Sequence, residues 1–279
     1  MNRREALKLA QKILFENKID DAPLEAEVLL RHTLQIDRAR LFAEYDAVLT
    51  EQQETAFQEN ITRRTKGIPT SYITGEREFY GLRFYVDENV LIPRPETELL
   101  VEKAIELTDR YASPVIVDVG TGCGNIAISL AVNLPHTRIY ATDSSVKALD
   151  VARRNAGRHN VTTGIQFFSG DLLEPIKNQV DIIVANLPYV KTEDLPSVNT
   201  NGYEPRLALN GGENGLDIVR RLCEQVSDKL KPGGTLLLEI GLRQKDSLVS
   251  CLSLLFPDAR IEITRDLAGI ERVVSLTRR

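Results

Sequence analysis

The stretch Val115–Asn133, VIVDVGTGCGNIAISLAVN, decides how the rest of the chain is read. An apolar β-branched run, Val115–Val119, ends in a glycine-dense turn, and Asn125 then opens an apolar segment at helical spacing. Strand, turn and helix in that order are half of a βαβ unit. The pattern repeats downstream. Strand candidates Arg138–Thr142, Ile165–Phe168, Val180–Ala185 and Thr235–Ile240 alternate with helical Val146–His159, Leu216–Leu230 and Arg243–Leu255. Such alternation predicts an α/β domain with five parallel strands covered on both faces. The tail departs from it. Arg260–Thr264 and Arg272–Leu276 are joined by a segment too short for a crossover helix, so they predict an antiparallel hairpin at the sheet edge.

Working upstream, residues 1–75 read as a small all-helical domain. Ala6, Leu9, Ile13 and Leu14 recur at helical spacing, and Leu24, Val28 and Leu29 follow Pro23 on one face. Thr50 with Gln53 three residues on is a capping-box pattern, and Gly67 ends that helix. Residues 76–94 read as a hairpin and linker: Phe79–Val86 has the aromatic and β-branched content of two short strands around Gly81. Pro95 can stand at the first position of a helix running to about Arg110, which opens the third segment, 95–279.

Composition narrows the function classes. The formal net charge of -5, with 11 Lys and Arg against 12 Asp and Glu over residues 1–75, is not the basic balance of a nucleic-acid-gripping protein. Cys123, Cys223 and Cys251 are odd in number and far apart, and His32, His136 and His159 are scattered, so neither a disulfide framework nor a metal site is expected. The charged N-terminus and the lack of an apolar run of about 18 residues predict a cytoplasmic protein outside the membrane. With no exposed apolar stripe to mark an interface, a monomer is expected.

The loop Asp118-Val119-Gly120-Thr121-Gly122-Cys123-Gly124 is built for a ligand. Its glycines let the chain turn sharply and let a ligand approach the main chain, and the helix starting at Asn125 offers free N–H groups. The dinucleotide fingerprint would need glycine at 125, where asparagine stands, so a cofactor without a pyrophosphate is favoured. Asp118 is placed to accept from an ammonium group, such as that on the methionine moiety of S-adenosylmethionine. Asp143 ends the second strand, where a carboxylate can bind both ribose hydroxyls. Asp171-Leu172 lies past the third and can hold adenine through its amine and one apolar face. A βα turn with capping carboxylates would explain any one of these; three at consecutive strand ends fit a ligand better. Cys123, with no partner base evident, reads as a small loop filler.

Asn186-Leu187-Pro188-Tyr189 follows the fourth strand directly. Asn and Pro are common in strand-ending turns. Methyl transfer gives a further reason for an amide, a backbone carbonyl and an aromatic ring in succession beside a cofactor. The sulfonium of S-adenosylmethionine already activates the methyl group, so the enzyme has mainly to present the nucleophile. A planar nitrogen is a poor one, because its lone pair is delocalised. The Asn186 side-chain oxygen and the Leu187 carbonyl can hold its two N–H bonds, and Tyr189 can stack on the planar group. Glutamine amide and adenine amine both fit this description.

These four residues resemble the Asn-Pro-Pro-Tyr class of amino-methyltransferases, with Leu187 where the class usually has its first proline. The likeness is wider than that motif. Gly67-Ile68-Pro69, Tyr72-Ile73-Thr74-Gly75, Phe79-Tyr80-Gly81, Leu91–Glu98 (LIPRPETE), Tyr203-Glu204-Pro205-Arg206 and Glu239-Ile240-Gly241 resemble the peptide chain release factor N5-glutamine methyltransferase family, from about residue 65 to the end. The resemblance implies a Rossmann-like seven-stranded methyltransferase sheet, with S-adenosylmethionine as donor. As acceptor it implies the glutamine in the Gly-Gly-Gln tip of bacterial class 1 release factors, gripped in part by the helical domain. It also implies that Arg94, Glu98 and Glu204 lie near the active-site mouth, contacting the acceptor peptide or bracing the Asn186 loop. A sister branch modifies a glutamine of a large-subunit ribosomal protein. Asn-Leu-Pro-Tyr is similar, too, to the ribosomal-RNA adenine dimethyltransferases, but those carry a helical domain after the sheet and lack the segment at 93–98. A third class, a cofactor-binding protein without catalysis, fits poorly with intact Asp118, Asp143, Asn186 and Tyr189.

Overall fold

The computed structural model describes residues 1–198 and 202–279, and the chain divides into two units, Met1–Glu76 and Arg77–Arg279. The first contains α1 (Arg3–Glu16), α2 (Ala22–Leu34), α3 (Arg38–Ala43), α4 (Glu51–Thr65) and α5 (Thr70–Thr74). Thr50 and Gln53 form the capping box at the start of α4. A second box, Asn2 with Glu5, opens α1 and was not among the patterns read from sequence. The buried face also differs from the expected one. Leu9 and Leu24 point to solvent, at 45% and 55% exposure, while Ala6, Ala10, Ala22 and Ala26 are buried with Leu14, Leu29 and Leu30. Alanine lets α1 and α2 approach closely, so the packing stripe follows the small residues, which a pattern of large apolar side chains does not reveal.

In the second unit β1 (Glu76–Phe79) and β2 (Leu82–Tyr85) form the hairpin, its first residue lying at the division between units. Tyr80 and Gly81 both have positive φ, 50° and 70°, the requirement of the tight turn whose twist matches its strands. Pro95 begins a 3-10 turn, Pro95–Thr97, and α6 (Glu98–Thr108) follows.

The sheet comprises β3 (Val115–Val119), β4 (Arg138–Asp143), β5 (Ile165–Ser169), β6 (Val180–Ala185), β7 (Leu230–Glu239), β8 (Arg260–Arg265) and β9 (Glu271–Thr277). Between and around them run α7 (Asn125–Asn133), α8 (Val146–Arg158), α9 (Leu195–Val198), α10 (Asp217–Lys229) and α11 (Lys245–Leu255). Strand order is β5-β4-β3-β6-β7-β9-β8. The first five strands are parallel, and β9 pairs antiparallel with both β7 and β8. Every residue of β6 is buried, as expected of a strand covered on both faces. The chain reverses its lateral direction between β3 and β6. Loops leaving the carboxyl ends of strands at such a point diverge and open a crevice. Among the described residues no helix is long and apolar enough to cross a membrane.

Candidate active site

Val119 stands opposite Ala185 in the β3–β6 register, so the glycine loop and the Asn186 loop leave the sheet side by side. A cavity of about 220 Å³ opens there. Gly120–Cys123, Asp143–Ser145, Asp171-Leu172 and Asn186–Pro188 line it, together with Arg94, Thr97, Leu207 and Arg221. Three of the four predicted groups, those at 120–123, 143 and 171–172, thus share one space with the acceptor loop.

Gly120 and Gly122 have φ of 73° and 56°, a region L side chains rarely adopt. A side chain at Gly120 would also begin 3.0 Å from Leu187 Cδ2, so the two loops touch at that point. Gly122 has nothing within 4 Å of where a Cβ would stand. Its main chain is therefore bare toward a ligand. Cys123 is buried and its thiol is pushed up to about 12 by that burial, which leaves it protonated and inert.

Asp118 sits elsewhere than expected. It is 0% exposed and lies behind the loop, outside the cavity wall. Its Oδ2 accepts from Thr121 Oγ1 at 2.6 Å and from Ala127 N at 3.1 Å. The side chain leaves β3 toward α7, whose first turn supplies one of the N–H groups every helix leaves unsatisfied. Asp118 Oδ1 has no hydrogen-bond partner among the described residues. Burial raises this carboxyl to about 7, against the opposing hydrogen bonds from Thr121 and Ala127. Between its ordinary 3.8 and about 7 the folded protein thus holds the proton more tightly than the unfolded chain. The stability this gives is complete at the acid end and lost as pH rises through about 7. Thermal unfolding followed across that window should show the Asp118→Asn variant losing less stability with rising pH than the wild type. Parallel curves would contradict this.

Asp143 is on the wall. Its Oδ2 accepts from Gly122 N at 2.9 Å and its Oδ1 from Ser145 N at 2.8 Å, and burial raises its pKa above the usual carboxylate value. Each oxygen has a further lone pair, so the carboxylate fixes the glycine loop and can still accept from a ligand. Asp171 is paired with Arg221, and Leu172 beside it has a φ of 51° that presents its apolar side chain from a tight turn. Asn155, absent from the sequence reading, ties the region together: fully buried on α8, it accepts from Tyr85 N and donates to the carbonyls of Tyr85 and Cys123. An Asn in mid-helix carries no sign of such a latch.

In the acceptor loop, Asn186 Nδ2 donates to Thr97 Oγ1 at 2.9 Å. That bond engages an N–H of the amide, and Oδ1 has no hydrogen-bond partner among the described residues. Leu187 is buried against the glycine loop, which an aliphatic side chain does as well as a proline ring. Tyr189 does not line the cavity. Its ring lies where a Cβ on Gly241 would stand 2.9 Å from Cδ2, and burial pushes its hydroxyl up to about 12. Gln244 holds this corner, accepting from Gly241 N and donating to the Tyr189 carbonyl. Arg94 lines the cavity and pairs with Glu204 at 2.6 Å, and Glu204 also accepts from Ile92 N. An exposed ion pair alone is worth about 0–1 kcal/mol; the added backbone bond makes Glu204 a pin on the 92–94 segment. Glu98 is outside the wall, and its Oε1 accepts from Tyr80 N in the hairpin turn. The 203–206 segment reaches the cavity at Pro205, and Leu207 and Ala208 just after it also line the wall.

A wall with two backbone-fixed carboxylate oxygens at Asp143, an apolar face at Leu172 and bare main chain at Gly122 suits a nucleoside bearing a ribose diol. The loop's departure from the dinucleotide pattern at Asn125 agrees with a nucleoside that lacks a pyrophosphate.

Residues 5–75 match the family model of the PrmC N-terminal domain, and residues 95–200 match that of the methyltransferase small domain. The release factor glutamine methyltransferase of Koribacter versatilis is 40% identical over 278 residues, spanning 98% of either chain. That of Moorella thermoacetica is also 40% identical, over 100% of this chain and 99% of its own. Among solved structures, a methyltransferase from Pyrococcus furiosus superposes with a TM-score of 0.52 at 17% identity, over 71% of this chain and 89% of that one; this likeness concerns the fold alone. With a helical first unit, a seven-stranded sheet ordered β5-β4-β3-β6-β7-β9-β8 and full-length relatives at 40% identity, the chain belongs to the release factor glutamine methyltransferase family.

Proposed function

We propose that the protein methylates the side-chain amide nitrogen of the glutamine in the Gly-Gly-Gln motif of bacterial class 1 release factors, with S-adenosylmethionine as donor. The observation that carries this is the Asn186 amide, whose nitrogen is committed to Thr97 and whose oxygen is left for an acceptor N–H. S-adenosylmethionine, when bound, supplies a methyl group already activated by its sulfonium.

The chain's own residues bind and orient. Asp143 accepts from the ribose hydroxyls, Leu172 covers one face of the adenine, and the bare backbone of Gly120–Gly122 allows close approach. Asp171, through its pair with Arg221, sets the edge at which the adenine amine is met. Asp118 acts from behind, holding Thr121 and the start of α7 in place. Asn186 Oδ1 and the Leu187 carbonyl accept the two N–H bonds of the glutamine amide and turn its nitrogen lone pair toward the methyl. Such positioning is worth up to roughly 7–11 kcal/mol in favourable systems. The same two dipoles stabilise the positive charge that develops on nitrogen. The amide proton becomes acidic only after attack, so no strong base is needed beside it. Tyr189, its hydroxyl kept neutral by burial, shapes the loop against Gly241. Pro188 lines the cavity and stiffens the turn. Arg94 and Glu204 brace the cavity edge, and the unit of residues 1–76 grips the release factor.

Two measurements check these roles. Asp143→Ala should weaken donor binding in calorimetry, and an unchanged dissociation constant would contradict its place in the ribose site. Labelled donor incubated with purified class 1 release factor, bulk RNA and ribosomal protein should place label on the release factor. Label confined to RNA or ribosomal protein would overturn the acceptor assignment.

A further inference from the structure

Gln244 stands at the start of α11, in the position where helices favour Ser, Thr, Asp or Asn to accept from their first free N–H groups. Its side chain makes no such bond to its own helix. It turns the other way. Its Oε1 accepts from Gly241 N at 2.8 Å, and its Nε2 donates to the carbonyls of Tyr189 at 2.9 Å and Gly215 at 3.2 Å. The turn that aims it, 241–244, is closed by a bond from Gln244 N to the Gly241 carbonyl. That turn holds Arg243 at a φ of 66°, a conformation that residues with a side chain seldom take.

Both ends of this amide are used. The NH₂ has two hydrogens, one for each carbonyl, and the oxygen takes the Gly241 N–H. The partners fix its orientation, because a flipped amide would set oxygen against two carbonyls and NH₂ against an N–H. They also come from three segments: the turn after β7, the acceptor loop and the stretch 209–215. That stretch bonds the acceptor loop again further on, through Gly211 N to the Val190 carbonyl and Thr192 N to the Gly212 carbonyl. Glycines let the segments close around the amide. Gly215 has a φ of 72°, and a Cβ on it would stand 2.5 Å from the Tyr189 carbonyl oxygen and 2.8 Å from Gln244 Nε2. A Cβ on Gly241 would stand 3.0 Å from Gln244 Oε1.

We propose that Gln244 is a positioning residue for methyl transfer: its amide latches the acceptor loop at Tyr189 and so sets the Leu187 carbonyl, two residues back, against the acceptor amide. The inference rests on the acceptor role assigned to the Asn186 loop above. Other ties hold the loop at its two ends, Asn186 by Thr97 and Val190 by Leu209 and Gly211. Between these ends the main chain is held at the Tyr189 carbonyl by Gln244. A shift of about 1 Å at such a site costs on the order of 10²-fold in rate, so loss of the latch reads out as turnover.

Gln244→Glu isolates this role. The change keeps the shape of the side chain, and an acidic group near a helix N-terminus is favourable to α11. It nevertheless sets a carboxylate, which only accepts, against the Tyr189 and Gly215 carbonyls. The assay uses full-length enzyme, purified class 1 release factor and S-adenosylmethionine at pH about 8, where a carboxylate is ionised. There kcat should fall about 10- to 100-fold, with little change in KM or in donor affinity by calorimetry. Gln244→Ala, which leaves the two carbonyls to water, should lose no more than Gln244→Glu. A residue that merely filled space would give the reverse order. Hydrogen exchange followed by mass spectrometry, on enzyme without substrates, reads the latch with no acceptor present. In both variants the amides of Val190 and Thr192 should exchange about 10-fold faster, while the glycine loop at 120–124 keeps its wild-type rate. Wild-type kcat in Gln244→Glu, a Gln244→Glu enzyme faster than Gln244→Ala, or exchange raised equally in the glycine loop would overturn the proposal. Failure of the wild type to methylate the release factor would instead remove the acceptor reading, and the exchange rates would still decide the latch.

Discussion

Replacing Asn186 by alanine is expected to lower turnover by roughly 10²–10³-fold, the loss typical of removing one aligned polar group from a transition-state site. The side chain sits at the end of β6 on the cavity wall, and its Nδ2 is engaged by Thr97. Alanine removes the oxygen that would hold an acceptor N–H, and the Leu187 carbonyl alone leaves the glutamine amide free to rotate about one bond. The effect should fall mainly on kcat, because contacts with the rest of the release factor survive. Steady-state kinetics, with thermal unfolding to confirm an intact fold, checks this. Near wild-type kcat would remove Asn186 from the mechanism.

Gly211→Ala is the second large effect expected, although residue 211 does not line the cavity. A Cβ there would stand 2.7 Å from the carbonyl oxygens of Pro188 and Gly215 and 2.8 Å from Tyr189 Cα. All three are backbone atoms, so no side chain can swing aside. Gly211 N also donates to the Val190 carbonyl, and Val190 N donates to Leu209. The strand-like segment 209–211 therefore clamps the acceptor loop from outside, and one methyl group must push it away. A displacement of about 1 Å at a site of this kind costs on the order of 10²-fold in rate. Turnover should fall by about that factor while donor affinity, set by Asp143 and the glycine loop, changes little. Calorimetry with donor beside kinetics with release factor separates the two. Unchanged turnover would show that the clamp does not position the loop.

The sheet was legible in the sequence because its signals are local. β-branched runs, glycine turns and caps each lie within a few residues, and the short connection after Arg260–Thr264 excluded a parallel return. The buried face of the first unit was less legible, since Ala6, Ala10, Ala22 and Ala26 pack where larger leucines on the same helices do not. The site divides in the same way. Gly120–Cys123, Asp143, Asp171 and Asn186 stand at strand ends, and topology gathers strand ends. Asp118 stands at a strand end too, but which face its side chain takes depends on α7 and not on its own sequence. Thr97, Asn155 and Gly211 escaped notice as working residues because each acts on a segment distant along the chain. Thr97 and Asn186 are 89 residues apart. The motif at 91–98 was recognisable as a pattern, but its physical use, Thr97 against Asn186 and Glu98 against the Tyr80 turn, needed the fold.

In the proposed reaction the Asn186 loop presents a protein glutamine amide to the methyl donor. This is tested most directly by peptide-mapping mass spectrometry of a class 1 release factor before and after incubation with the enzyme and S-adenosylmethionine. One added methyl group is expected on the side-chain nitrogen of the Gly-Gly-Gln glutamine, and none when that glutamine is replaced or when Asn186→Ala enzyme is used. A methyl group on another residue, or full methylation by Asn186→Ala, would contradict it.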